Sequence, residues 1–281
     1  MKTSRRDFLR MAGAATATGL VPTSPATVYT GLQPRETAVG RLDLGMASYT
    51  FRAFPLDDAI RMTRRLGVTK ITLKEMHLPL KSTGEEIAVA REKMKAAGLD
   101  FDSVGVIYMK TEDEVRQAFA YAKSAGVRTI IGAPDAPLLP IAERLVRETD
   151  IILAIHNHGP TDKRYPTPES AFKAIENLDK RIGLCVDVGH TQRHGLDPSV
   201  EIERFFDRVY DIHVKDVDRS EAVGKTVEIG RGVIDIPKFF RTISRLKYSH
   251  TLHLEFEKDQ DDPLPGTAES LGYARGVLAG L

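Results

Sequence analysis

The sequence predicts an α/β protein built as a single (β/α)8 barrel. Three observations predict it. Short apolar runs of strand length alternate with helix-period stretches eight times along the chain, and regular alternation of that kind gives a parallel sheet. About 250 residues remain after an N-terminal leader, the size of one such barrel. No Gly-x-Gly-x-x-Gly follows the first apolar run, so an open dinucleotide-binding sheet has no support.

The leader comes first. Lys2, Arg5 and Arg6 make a basic start, residues 11–21 are weakly apolar, and Ser24-Pro25-Ala26 is a small-residue cleavage site. The Arg5-Arg6 pair inside Ser-Arg-Arg-Asp-Phe-Leu marks a secretory signal of the twin-arginine type. Its apolar run is too short to span a bilayer, and no cysteine stands near the cleavage region to carry a lipid. Residues 1–30 are therefore expected to be signal peptide and linker, and residues 31–281 the catalytic barrel. The mature protein is expected in the periplasm or otherwise exported, without a membrane anchor. Twin-arginine substrates cross the membrane folded, so a metal acquired in the cytoplasm travels with the protein, and availability often decides which metal a site holds.

Barrel strands are expected at residues 42–48, 70–73, 101–107, 128–131, 151–156, 182–186, 209–214 and 251–256. Amphipathic stretches at 56–66, 83–97, 112–125, 138–147, 168–178, 198–206 and 236–246 read as the helices between them. Thr83-Gly84-Glu85-Glu86, Thr111-Glu112-Asp113-Glu114 and Thr167-Pro168-Glu169 are helix starts, each a capping threonine followed by acid or proline. Gly67, Gly98 and Gly126 end three of the helices.

Composition narrows the function. The net charge is +1 with the signs mixed along the chain, so nucleic acid is not an expected partner. The one cysteine, Cys185, excludes an internal disulfide and any Cys-x-x-Cys zinc site. It sits inside the apolar run from Ile182 to Val186 and reads as a small buried filler.

In a barrel of this kind the chemistry sits at the C-terminal ends of the strands. There this chain collects polar residues. The fifth strand ends in His156-Asn157-His158, with both imidazoles on one face and Asn157 on the other. The sixth ends in Asp187-Val188-Gly189-His190, the seventh contains His213-Val214-Lys215-Asp216, and the eighth contains Glu255-Phe256-Glu257. The second runs into Lys74-Glu75-Met76-His77. Any one of these fits a polar strand end satisfied by loops and water. Four consecutive strands that each deliver His, Asp, His or Glu to the rim point instead to a divalent metal such as Mn²⁺, Zn²⁺, Co²⁺ or Fe²⁺.

With Asp187-Val188-Gly189-His190, His213-Val214-Lys215-Asp216, Gly230-Arg231-Gly232-Val233-Ile234-Asp235 and Leu254-Glu255-Phe256-Glu257 in this order, the chain resembles the xylose-isomerase-like barrels. These are the sugar phosphate isomerase/epimerase group, related to endonuclease-IV-type enzymes, and the likeness runs from Leu44 to the C-terminus. The resemblance implies one divalent metal, manganese first, with zinc, cobalt, magnesium or iron as alternatives. Asp187, His213 and Glu255 match the family's ligands from strands six, seven and eight. His156 falls where the family commonly carries a ligating glutamate, and is the expected replacement. His158 is a substrate-facing residue or the alternative ligand. By the same resemblance Glu255 is a proton acceptor on one face of the sugar, with His158, Lys215 or Lys74 as the second acid or base. His190, Lys74, His77, Arg231 and Glu257 are the expected substrate contacts.

The resemblance implies a metal-dependent sugar isomerase or epimerase acting on an unphosphorylated sugar or keto-sugar, since nothing resembles a phosphate clamp. Imidazole bound to metal has no free lone pair for proton abstraction, so His156 in place of a glutamate counts against a two-glutamate epimerisation. A one-base isomerisation fits at least as well, as does the alternative it motivates, a lyase or hydratase on 3-keto-glycosides. An abasic-site endonuclease would need histidine ligands on the second and third strands and a basic DNA-tracking face. Residues 101–108 contain no histidine. A carbohydrate-binding module without catalysis would be served by exposed aromatics, yet tryptophan is absent. A small-molecule sugar is the expected partner, with a homo-oligomer expected by analogy alone.

Overall fold

The structure, a computed structural model, describes residues 42–281. The expected signal peptide lies outside the described residues. Eight parallel strands close into a barrel: β1 (Leu44–Ala47), β2 (Lys70–Leu73), β3 (Asp100–Met109), β4 (Thr129–Pro134), β5 (Ile152–His156), β6 (Ile182–Asp187), β7 (Val209–Val214) and β10 (Leu252–Leu254). Their spatial order is β1-β10-β7-β6-β5-β4-β3-β2. A short antiparallel ribbon, β8 (Asp216–Val217) with β9 (Thr226–Val227), lies in the chain between β7 and β10.

All eight expected strands are present. β3 runs to Met109, which carries Tyr108 into the sheet. β10 stops at Leu254 rather than at residue 256. Glu255 N still bonds Val214 O at 3.0 Å, but Phe256 N turns to Thr50 Oγ1 at 3.0 Å and leaves the ladder.

The helices are α1 (Leu56–Arg65), α2 (Gly84–Ala96), α3 (Glu112–Ala125), α4 (Leu139–Thr149), α5 (Pro168–Ile175), α6 (Val188–Arg193), α7 (Pro198–Arg204), α8 (Ile236–Arg245) and α9 (Leu264–Ala279). Thr83, Thr111 and Thr167 each cap a helix and form the reciprocal pair with the residue three positions on. Gly126 ends α3 at φ 72°, where a side chain would be strained. Two helices were not expected. α6 starts directly on the end of β6, because the Asp187 side chain accepts from His190 N at 2.8 Å and caps it. α9 buries Gly266, Thr267, Ser270, Leu271 and Ala274. Thr267 and Ser270 return their hydroxyls to main-chain carbonyls one turn back, so a buried face built of small residues carries little apolar periodicity.

One apolar layer lies between strands and helices, and a polar column fills the barrel. Alternate residues of β7 and β10 point inward: Asp211, His213 and the following Lys215 on one, His253 and the following Glu255 and Glu257 on the other. On the floor, fully buried His253 directs Nδ1 to Asp211 Oδ2 at 2.8 Å and Nε2 to Asp102 Oδ2 at 3.2 Å. Gly45 pairs with His253 in register, and a Cβ there would meet the His253 ring at 2.8 Å. No helix among the described residues is long and apolar enough to cross a membrane.

Candidate active site and metal centre

Four strand ends converge. His156 ends β5, Asp187 ends β6, His213 lies one residue before the end of β7, and Glu255 follows β10. The register aligns Asp187 with His213, and His213 with His253, so Glu255 stands one inward position above that level. All four side chains are buried, and each offers a ligand atom within 4.8 Å of the others. His156 Nε2 lies 3.2 Å from His213 Nδ1 and 3.5 Å from Asp187 Oδ2; His213 Nδ1 lies 3.4 Å from Glu255 Oε2. Ligand bonds of about 2.0–2.2 Å in a tetrahedral array separate donor atoms by roughly 3.4 Å. These edges match that spacing.

One unpaired atom supports the same fit: Asp187 Oδ2, which faces His156 Nε2, is buried without a properly directed hydrogen bond. So are two atoms on the far sides of their groups, Glu255 Oε1 and His213 Nε2, the latter turned toward Asp211. Lysine ammoniums do approach two of them, Lys215 Nζ at 2.9 Å from Asp187 Oδ2 and Lys74 Nζ at 2.7 Å from Glu255 Oε1, but off the hydrogen-bond axis. Two imidazoles and two carboxylates suit a borderline divalent ion. Cys185 also reaches the two histidines. Burial and then the Asp211 carboxylate raise its thiol well above the usual range, so it stays protonated and is the poorer donor. Cys185 is buried as expected, yet it faces the barrel interior, with Sγ 3.5 Å from Asp211 Oδ1.

Charge is balanced tightly around the cluster. Burial would raise the Asp187 and Glu255 carboxyls, but neighbouring His190 and Lys215 outweigh it at Asp187, and Lys215 and Lys74 at Glu255. Both are held well below the carboxylate range. Burial would lower Lys215, but Asp187, Glu255 and Glu257 hold it well above the usual lysine value as an ammonium. Lys215 Nζ is 2.6 Å from Glu255 Oε2 and also contacts Glu257. Gly189 leaves room for its stem, since a Cβ there would collide with Lys215. Burial, then the neighbouring His158, keeps His156 well below 6.5 and so neutral.

A family model described as xylose isomerase-like TIM barrel matches residues 55–277. The chain belongs to this family. A model of the twin-arginine translocation signal matches residues 2–22 and marks the chain for export. The chain is similar to an inosose dehydratase of Clostridium tetani, 27% identical over 47% of each chain. It thus spans about half the length of the curated relatives it matches. In fold it is similar to the 3-keto-D-glucoside 4-epimerase of E. coli, at 13% identity and a TM-score of 0.68, over 84% of this chain and 100% of that one. It is also similar to the probable 3-DHS dehydratase of Bacillus anthracis, at 12% identity and a TM-score of 0.66, over 84% and 98%. At such identities the likeness to the solved structures shows the fold.

Within this xylose isomerase-like barrel the other expected residues divide into two groups. His158, His190, Lys74, Lys215 and Glu257 gather round the cluster. The His158 ring centroid is 4.4 Å from that of His156, and the His190 ring is 6.0 Å from it. His77 and Arg231 stand apart. His77 places Nδ1 3.0 Å from Ser48 Oγ and Nε2 3.0 Å from Phe54 O, so both nitrogens brace the segment after β1. Arg231 spends its fork on Glu269 of α9.

Sequence reasoning passed over four contributors. Asn157, pointing away from the histidines, accepts from Asp187 N at 3.0 Å and donates to Thr191 Oγ1 at 3.2 Å, tying β5 to the next ligand strand. Asp216 accepts from Gly230 N at 2.9 Å and Gly232 N at 3.0 Å, which seats the loop after β9. Tyr49 lies beneath Lys74, its ring centroid 4.6 Å from Nζ. Tyr108 meets His158 at the end of β3, where the strand-end rule could have found it.

Proposed function

We propose that the mature protein is an exported, divalent-metal-dependent enzyme that acts on an unphosphorylated keto-sugar or keto-cyclitol. It takes the proton beside the carbonyl and expels water from the next carbon. A single observation carries this reading: the cluster holds one glutamate, Glu255, and His156 stands where the resembling epimerases carry a second. Epimerisation by two glutamates needs a carboxylate on each face of the sugar; elimination needs one base and one acid. The dehydratase relatives support the same choice.

His156, Asp187, His213 and Glu255 would hold the ion, manganese first and zinc, cobalt, magnesium or iron as alternatives. Glu255, kept ionised by Lys215 and Lys74, is ready to accept a proton but is a weak base. The acidity must come from the carbon acid, whose neighbouring oxygen a bound divalent ion polarises. Lys74, His190 and Glu257, which gather round the cluster, orient the hydroxyl groups. The site works in the periplasm on sugars that reach it unphosphorylated.

Sugar isomerisation or epimerisation is the second reading, favoured by His158, whose ring packs on His156 and can act as the other acid or base. Metal analysis of the exported protein, followed by NMR of keto-sugars and keto-cyclitols in D₂O, tests both. Deuterium uptake with loss of water supports elimination, and uptake with an epimer or isomer supports the second reading. No uptake from any member of the panel sinks both.

A further inference from the structure

Tyr108 connects the cluster to the mouth of the barrel. Its hydroxyl lies 2.7 Å from His158 Nε2, its ring stacks on that imidazole at 5.2 Å, and the residue is 41% exposed. On the inner side His158 Nδ1 lies 3.4 Å from His156 Nδ1. Three side chains thus form one line: His156 in the cluster, His158 above it, and Tyr108 at the opening.

The line has a direction, which rests on the metal reading given above. A neutral imidazole carries one N–H and one lone pair. His156 turns Nε2 toward His213 and Asp187. With that lone pair given to an ion, the His156 proton sits on Nδ1, buried against His158 Nδ1. A buried donor is costly to leave unpaired, so His158 Nδ1 accepts it and His158 carries its own proton on Nε2. That N–H donates to the Tyr108 oxygen, and the Tyr108 hydrogen is turned away toward the mouth.

We propose that Tyr108 is the proton donor of the reaction, held by His158 with its hydrogen toward the substrate. In the elimination Glu255 takes the proton from carbon, and the C–H electron pair becomes the new double bond. The C–O bond of the departing hydroxyl breaks as Tyr108 gives its proton to that oxygen, so water leaves. His158 Nε2–H stabilises the phenolate, which regains a proton from solvent as Glu255 releases its own. Burial, then Asp162, pushes the phenol up to about 12, so it holds its proton at neutral pH. The competing arrangement uses Asp162, whose Oδ2 lies 3.8 Å from His158 Nδ1. A proton on His158 Nδ1 would turn the Tyr108 hydrogen back onto His158 and remove the donor.

Two measurements on the zinc-loaded exported protein decide this. Long-range proton–nitrogen NMR with ¹⁵N-histidine, His158 being assigned by its loss in His158→Gln, should find His158 as the Nε2–H tautomer. The Nδ1–H tautomer would overturn the proposal whatever the substrate proves to be. In Tyr108→Phe, elimination should fall about 100-fold more than deuterium uptake at carbon, the usual share of a general acid. Equal loss of both, or loss of neither, would also overturn it. A wild-type protein inactive on every keto-sugar sinks the elimination reading instead, and leaves the proton's direction to the NMR result.

Discussion

His156 Nε2 and His213 Nδ1 face each other at 3.2 Å inside a ring of carboxylates. Neither needs the other as a partner if both lone pairs meet an ion. Asp187→Ala, His213→Ala, Glu255→Ala and His156→Ala should each lose metal, measured by elemental analysis after gel filtration. His158→Ala should keep it, and His156→Glu should keep it because a carboxylate suits the same ions. Metal retained at full stoichiometry in all four alanine variants would move the site elsewhere. Since His156 stays neutral well below 6.5, its own share of metal loss should set in below the ordinary histidine range as the pH falls.

Lys215 should compete with the ion for carboxylate charge. Its ammonium contacts Asp187 Oδ2 and Glu255 Oε2, two of the oxygens in the ligand set. Lys215→Met removes the ammonium that bridges the two carboxylates and leaves Lys74 on Glu255 alone, so the metal-free protein should lose stability and gain more from added metal than wild type does. Thermal unfolding with and without manganese reads the difference. An equal metal-induced rise in Tm for both proteins would contradict this.

Asn157 holds the backbone of a ligand rather than the ion. Replacing it by alanine leaves the buried Asp187 N without its acceptor, a cost of about 1–3 kcal/mol. Metal affinity should fall roughly 10–100-fold, as for other outer partners of metal ligands. Calorimetric titration with metal, together with denaturant unfolding, checks both, and unchanged affinity would confine Asn157 to stability.

The barrel floor should set a two-sided pH dependence of stability. Burial would lower His253, but Asp211 and Asp102 hold it up at about 10, above its ordinary 6.5. Its contribution is therefore full below pH 6.5 and is lost as the pH rises through about 10. Burial would raise Asp102, but the His253 imidazole 3.2 Å away brings it down to about 2 from 3.8. That contribution is full above pH 3.8 and is lost as the pH falls through about 2. His253→Leu strands two carboxylates and should cost about 3–5 kcal/mol, with a flatter stability curve between pH 6.5 and 10. Wild-type steepness in the variant would show that other groups carry the alkaline loss.

Export should depend on the arginine pair. Arg5→Lys with Arg6→Lys should hold the chain in the cytoplasm, seen by fractionation, and normal export of this double variant would exclude the twin-arginine route.

The strand pattern and the strand-end residues were legible in the sequence because each depends on local order. Short apolar runs, capping threonines and terminal glycines fall within one turn or strand, and the position of His156, Asp187, His213 and Glu255 at strand ends follows from barrel geometry alone. Which of the two strand-five histidines joins the cluster was left open by the residues, and alternation could not decide it, since both point inward. Closure of the barrel decides it: only His156 lies at the level where β5, β6 and β7 bring their ligand atoms together. The Lys215–Glu255 pair, the Asp102–His253–Asp211 floor and the Tyr108–His158 contact each join residues at least 40 positions apart. Their energies are Coulombic and hydrogen-bonded terms that exist only once the strands are placed. His77 shows the same limit from the other side. The sequence set it at a strand end like the others, but the fold spends both its nitrogens on the segment after β1.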